Sequence, residues 1–131
     1  MKTADITAIA GTLPAIGAYF NGGIFAGITL HEDRAHALVL LSEEGAHMEW
    51  PDALEFAFKL EGDLPSRIDM IVLHKNLRDR FNKHGWYWTS EVLPGDAECA
   101  FLQGFEYGSQ SYDRKDTGYR ARAVRRVEIS Q

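Results

Sequence analysis

Five consecutive apolar residues, Ala37-Leu38-Val39-Leu40-Leu41, constrain this chain more than any other stretch. A strand-length run that dense belongs in the centre of a sheet. Residues 27–30 form a second apolar run, separated from the first by His31-Glu32-Asp33-Arg34, so the two are expected to pair as a hairpin. Upstream, residues 17–30 read as extended chain broken by Asn21-Gly22-Gly23, a strong turn signal. Asp5 is placed to cap a short helix over residues 6–12.

After Trp50 the period changes. Trp50, Ala53, Leu54, Ala57, Phe58 and Leu60 recur at helical spacing, with Asp52, Glu55 and Lys59 on the other face. Pro51 suits the first turn, and Glu55 with Lys59 makes an i,i+4 pair. A second helix is expected from Ser66, because Ser66-Arg67-Ile68-Asp69 has capping-box form with Asp in place of the usual Glu. Ile68, Ile71, Val72 and Leu73 supply its buried stripe, and it should end between residues 76 and 81.

The last third returns to strand chemistry. Trp86-Tyr87-Trp88-Thr89 is rich in strand formers, Pro94-Gly95-Asp96 is a turn, and residues 100–105 are the returning strand. A further turn falls at Tyr107-Gly108, followed by a polar stretch over residues 109–118 that reads as a loop. Residues 119–129 then alternate, with Tyr119, Ala121, Ala123, Val127 and Ile129 on one face and Arg120, Arg122, Arg126 and Glu128 on the other. Arg125 lands on the apolar face, where a guanidinium must find a carboxylate or backbone carbonyls.

These elements, extended N-terminal segments, two helices and then strands, make one α+β domain over residues 1–131. No Pro/Gly/Ser tract marks a linker, and the single cysteine, Cys99, has no partner within the chain for a disulfide. Asp5, Gly11, Pro14 and Gly17 interrupt the apolar N-terminal stretch, which reads as folded structure rather than a leader. No apolar run is long enough for a membrane span. Reducing cytoplasm fits this composition.

The net charge of -5 is unevenly spread. Residues 1–65 carry ten acids against three bases, and residues 66–131 nine against eleven. Glu43, Glu44, Glu49, Asp52 and Glu55 lie in the acidic stretch, either as a solvated face or as a surface that docks on a basic partner. The six bases among residues 114–126, interleaved with tyrosines, evoke nucleic-acid binding, but the net acidity argues against it. Guanidiniums on a strand of this kind are expected to clamp groups within the fold.

Catalytic and metal signals are thin. The five histidines lack close metal-ligand spacing, no nucleophile elbow or phosphate-binding loop is present, and neither metal nor cofactor is expected. Of the tryptophans, Trp88 is expected in the core. The richest combination of aromatic area with donors and acceptors is Tyr107, Gln110, Tyr112, Asp113 and Arg114, read as a ligand-binding loop.

Trp50 with Asp52-Ala53, Gly62 with Leu64-Pro65-Ser66-Arg67, Tyr87-Trp88-Thr89-Ser90, Gln103-Gly104-Phe105, and the closing run from Arg120 to Val127 occur in that order. In this the chain resembles, over residues 15–128, a domain of unknown function shared by phage and prophage proteins and by the C-terminal domain of a bacterial collagen-like adhesin. The resemblance implies a C-type-lectin-like layout, two helices packed on a twisted antiparallel sheet, related to formylglycine-generating-enzyme-like domains. It does not imply their chemistry, since a second thiol and the calcium-binding triplets of lectins are missing.

Three functional readings stay open. One is a non-catalytic phage- or prophage-encoded module recognising a protein or glycan through loops on a rigid scaffold. Another is an intracellular inhibitor of a host defence system, such as an anti-CRISPR protein, acting through the acidic surface. The third is an enzyme whose site is invisible in sequence. With no trimerising repeat or stalk in view, a free cytoplasmic protein is expected ahead of a virion component, and homo-oligomerisation is left open.

Overall fold

The computed structural model describes residues 7–130. In chain order its elements are β1 (Thr7–Ile9), β2 (Tyr19–Phe20), β3 (Gly23–His31), β4 (Arg34–Met48), α1 (Trp50–Lys59), α2 (Arg67–Leu77), β5 (Trp86–Val92), β6 (Cys99–Gly104), β7 (Gln110–Arg114) and β8 (Tyr119–Ser130). The strands form one sheet in the order β2-β3-β4-β8-β5-β6-β7, with β1 also on β8. The fold is α+β, as the change of period at Trp50 requires.

The apolar run at Ala37–Leu41 is central as expected: β4 pairs antiparallel with both β3 and β8. The β3–β4 hairpin turns on Glu32 and Asp33, both at positive φ (52° and 62°), the paired left-handed conformation that matches strand twist in a two-residue turn. The sheet is mixed rather than antiparallel throughout. β8 takes β5 in parallel at Tyr87–Arg120 and β1 in parallel over Glu128–Ser130, with an Asp63–Val124 bridge between them. One edge of β8 thus serves three segments in turn. Gly62 allows the middle one, since a Cβ there would meet the Val124 carbonyl at 2.6 Å.

The helices cover opposite faces. The cluster on the α1 side joins Ala53 and Ala57 to Val39, Leu64, Trp88, Leu102, Ala121, Ala123 and Val127. That on the α2 side joins Met70, Leu73 and Leu77 to Leu38, Leu40, Tyr87, Phe105 and Val124, with Phe81 stacked on Phe105 at 4.0 Å between ring centroids. Because both faces are covered, β8 buries residues of both parities.

Several local expectations change. Residues 7–9 of the expected N-terminal helix form β1, drawn out by pairing with β8, followed by a 3-10 turn at Ala10–Thr12; Asp5 and Ile6 lie outside the described residues. In α1, Ala53 and Ala57 are buried but Phe58 is 78% exposed. In α2 the buried stripe is Asp69, Met70, Leu73 and Leu77, leaving Ile68 and Ile71 exposed. The rotation has a cause in Asp69, which closes the capping box with Ser66 and is then held inward by Arg126. The polar stretch expected as a loop contains the edge strand β7, which pairs with β6 from Gln103–Gln110 to Cys99–Arg114.

Candidate functional site

Most charged side chains of the interior are already partnered. Arg126 Nη2 and Nε donate to Asp69 Oδ2 at 2.6 and 2.9 Å, Nη1 donates to Asp63 at 3.1 Å, and the Thr29 hydroxyl donates to Asp69 Oδ1 at 2.6 Å. Asp69 is fully buried, so the pair persists because every oxygen is bonded. Arg122 donates to Arg80 O and Leu41 O and lies 4.9 Å over the Phe81 ring. Burial pushes its guanidinium below the usual arginine value, against the opposing pull of Glu44. The Tyr87 hydroxyl donates to Glu44 at 2.7 Å and accepts from Asn82 N; burial first, then that carboxylate, pushes it up to about 12. Arg125 answers the expectation of a clamp with carbonyls: Leu60 O at 2.9 Å, Glu61 O at 3.1 Å and Asn21 O at 3.3 Å. It thereby caps the C-terminal end of α1.

The five residues expected as a ligand loop are not brought together. Gln110 is committed to an amide network, donating to Arg67 O and Gln103 Oε1 and accepting from Arg67 Nε. Alternation along β7 turns Tyr112 to the α2 side, edge-on to Phe101, whose ring carries the Arg67 guanidinium at 3.8 Å. Asp113 points the other way and accepts the Tyr119 hydroxyl at 2.5 Å; that bond, then the Arg114 amide, holds its carboxyl below the usual range. Arg114 pairs at the surface with Asp116 and Glu98. Tyr107, in the turn before β7, is free of this and 84% exposed.

Nor do the five acids make one surface. Glu44 is spent on Arg120 and Tyr87 on the α2 side, whereas Glu49 directly precedes α1 and Asp52 and Glu55 lie on it, and α1 packs on the opposite face. Glu55 pairs with Lys59 at 2.9 Å, and Glu43 accepts from Ser42. Glu49 and Asp52 are exposed.

Trp86 was not among the five residues expected to bind a ligand. It shares a side of β5 with Trp88, which is fully buried with its indole N–H on Met48 O. Trp86 is 36% exposed, and its six-membered ring lies across Gly104 on β6, where a Cβ would meet it at 2.9 Å. Two small clefts of about 150 Å³ flank it. One is walled by His84, Gly104, Glu106, Tyr107 and Ser109, the other by His47, His84, Gly118, Tyr119 and Arg120. His84 Nδ1 stands 3.2 Å from Glu106. The Trp86–Gly104 pairing was the available signal, because a bulky residue opposite glycine in a strand pair is a flat seat rather than a packed core position.

A wider hollow of about 650 Å³ lies between the last turns of α1 and residues 62–64, lined by Leu54, Phe58, Asp63 and Arg126 among others. Its cation is already paired. Among the described residues no three or more histidine, cysteine, aspartate or glutamate side chains are grouped to hold a metal ion, and no helix is long and apolar enough to cross a membrane. No protein-family model matches the chain, and no curated protein matches it either.

Proposed function

We propose that this chain is a non-catalytic binding module of the phage and prophage kind it resembles, C-type-lectin-like in layout, which holds a glycan or a protein loop against Trp86 and Tyr107. One observation carries the reading: an exposed indole on a glycine seat, between two clefts, beside an exposed tyrosine. Exposed aromatic rings with neighbouring donors and acceptors supply contact area at low entropic cost, and such anchors dominate binding energy. Sugar rings and flat peptide segments both suit this surface. A glycan ligand favours a virion-associated role; a protein ligand favours a free protein in the host cytoplasm.

The test uses the full chain on an array of bacterial surface glycans and in capture from host lysate. Trp86→Ala and Tyr107→Ala should each lower ligand affinity at least tenfold while the melting temperature moves by no more than a few degrees. Capture that survives both changes but disappears on Glu49→Lys with Asp52→Lys would instead support the inhibitor reading, whose one structural support is that pair of exposed acids at the N-terminal end of α1.

A further inference from the structure

The turn between β2 and β3 holds a reactive pair. Of the chain's three asparagines, two have their side-chain amides engaged: Asn76 donates to Ala26 O at 2.7 Å, and Asn82 accepts from His84 N at 3.0 Å. Each is followed by a bulky residue, Leu77 or Lys83. Asn21 differs on both counts. Its Nδ2 has no partner among the described residues, and the next residue is Gly22, whose missing side chain leaves the backbone nitrogen open to approach. Phe20 pairs with Gly23, so Asn21 and Gly22 make up the whole of a two-residue turn, at positive φ of 50° and 89°. Gly22 is exposed, and its N–H has no backbone acceptor among the described residues. A third group sets the pair apart. Arg125 Nη1 donates to the Asn21 carbonyl oxygen at 3.3 Å, and a Cβ at Gly22 would run into that same nitrogen. The guanidinium thus lies against the peptide group that joins the two residues. Its other bonds go to Leu60 O and Glu61 O; unlike Arg122 and Arg126, it makes no ion pair among the described residues.

We propose that Asn21 is a site of spontaneous deamidation, with water as the co-reactant and Arg125 as the group that promotes and directs it. The Gly22 nitrogen loses its proton to solvent base, and the negative charge spreads onto the Asn21 carbonyl oxygen with which that nitrogen is conjugated. The guanidinium donates to that oxygen, so the developing charge meets a donor already in place. The nitrogen then attacks Asn21 Cγ. A bond from nitrogen to Cγ closes a five-membered imide, and the Cγ–Nδ2 bond breaks as ammonia leaves with a proton from water. Water reopens the imide at one of its two carbonyls. Attack at Cγ leaves an ordinary aspartate at position 21. Attack at the former main-chain carbonyl leaves an isoaspartate, with the chain routed through Cγ and one methylene longer. Arg125 polarises the second carbonyl, and the carboxylate released there is the group it already holds, so the isoaspartyl product is favoured. The guanidinium gains the counter-charge that its carbonyl partners lack. The inference does not depend on what the Trp86 surface binds.

The test follows the full chain, folded, through incubation at mildly alkaline pH. Peptide mass mapping should show the amide of Asn21 converted to acid while those of Asn76 and Asn82 persist, with a rate that rises with pH. Arg125→Met, which keeps the reach of the side chain and removes its charge, should slow the folded reaction about threefold or more. It should also shift the product from isoaspartate towards aspartate, read with an isoaspartyl-specific methyltransferase. In urea, where the clamp is gone, the two chains should react at one rate and give one product ratio. The urea reference also serves if the variant folds poorly, because folded wild type should give a larger isoaspartyl share than its own unfolded chain. An Asn21 amide that survives in the folded chain while the unfolded chain reacts, or rates and product ratios that are the same with and without the guanidinium, would each overturn the proposal.

Discussion

On the α1 face of the sheet the interior is alanine, valine and leucine around Trp88; on the α2 face leucine, methionine and aromatic rings share it with Asp69, Arg122, Arg126 and Thr29. The core of the first face is held mainly by area and shape, with the Trp88 indole bonded to Met48 O, so its aliphatic positions tolerate exchange among apolar residues of similar volume. The second is held by pairs, and a pair fixes register as well as contributing stability, at the risk of a buried unmatched charge. The Trp86 surface lies on the α1 side of β5, and the paired residues beneath α2 keep the sheet under it in a single arrangement.

Removing one member of a buried pair should be the largest single effect. Asp69→Ala strands the Arg126 guanidinium, which is almost wholly covered, and should cost about 3–5 kcal/mol in urea denaturation. Asp69→Leu combined with Arg126→Met should regain most of that, because two apolar groups need no partner. A double variant as unstable as the single one would show that the α2 face is not governed by pairing.

Arg125→Ala comes next, at about 1.5–3 kcal/mol, the worth of hydrogen bonds from a charged donor to backbone carbonyls. It loses three carbonyl contacts but strands no carboxylate, and it should raise hydrogen exchange in the last turn of α1 before elsewhere. The clamp at this residue was legible in the strand's alternation. That Arg122 and Arg126 clamp groups within the fold was also expected; that they do so beneath a helix was not legible, because alternation put them on the polar face and α2 covers that face here. Likewise the Ser66–Asp69 capping box could be read locally, whereas the inward turn of Asp69 depends on Arg126, fifty-seven positions away. β7 was hidden for the opposite reason: an edge strand needs few apolar residues, so Gln110 to Arg114 has the composition of a loop.

Tyr119→Phe probes a bond near the α1-face rim and should cost about 1 kcal/mol at neutral pH. The bond lowers Asp113 and, together with burial, which is the larger cause, raises Tyr119 to about 12. A lowered carboxyl contributes stability above its unfolded value and loses it as pH falls through the folded one; a raised phenol contributes below 10 and loses it as pH climbs through about 12. The gap between wild type and variant should therefore be widest in the middle of the pH range and narrow at both ends. A gap constant with pH would mean that the hydroxyl acts through packing against Trp88, 5.2 Å away between ring centroids.

The smallest stability effect is expected at Tyr107, and it separates bonded interior from open surface most cleanly. Its ring projects from the turn between β6 and β7, 84% exposed, so truncation removes little buried area and leaves no buried group unmatched. Surface changes of that kind fall within about 0.5 kcal/mol. Tyr107→Ala should leave the thermal melt almost superimposable on wild type while affinity for the ligand falls. Tyr112→Ala supplies the internal control, because its ring leans on Phe101 and Arg67 on the other side of the sheet and lies outside both Trp86 clefts. Affinity should survive that change with a modest loss in melting temperature. The reverse pattern, binding lost at Tyr112 and kept at Tyr107, would move the ligand to the α2 side of β7 and leave Trp86 as a lid over Gly104.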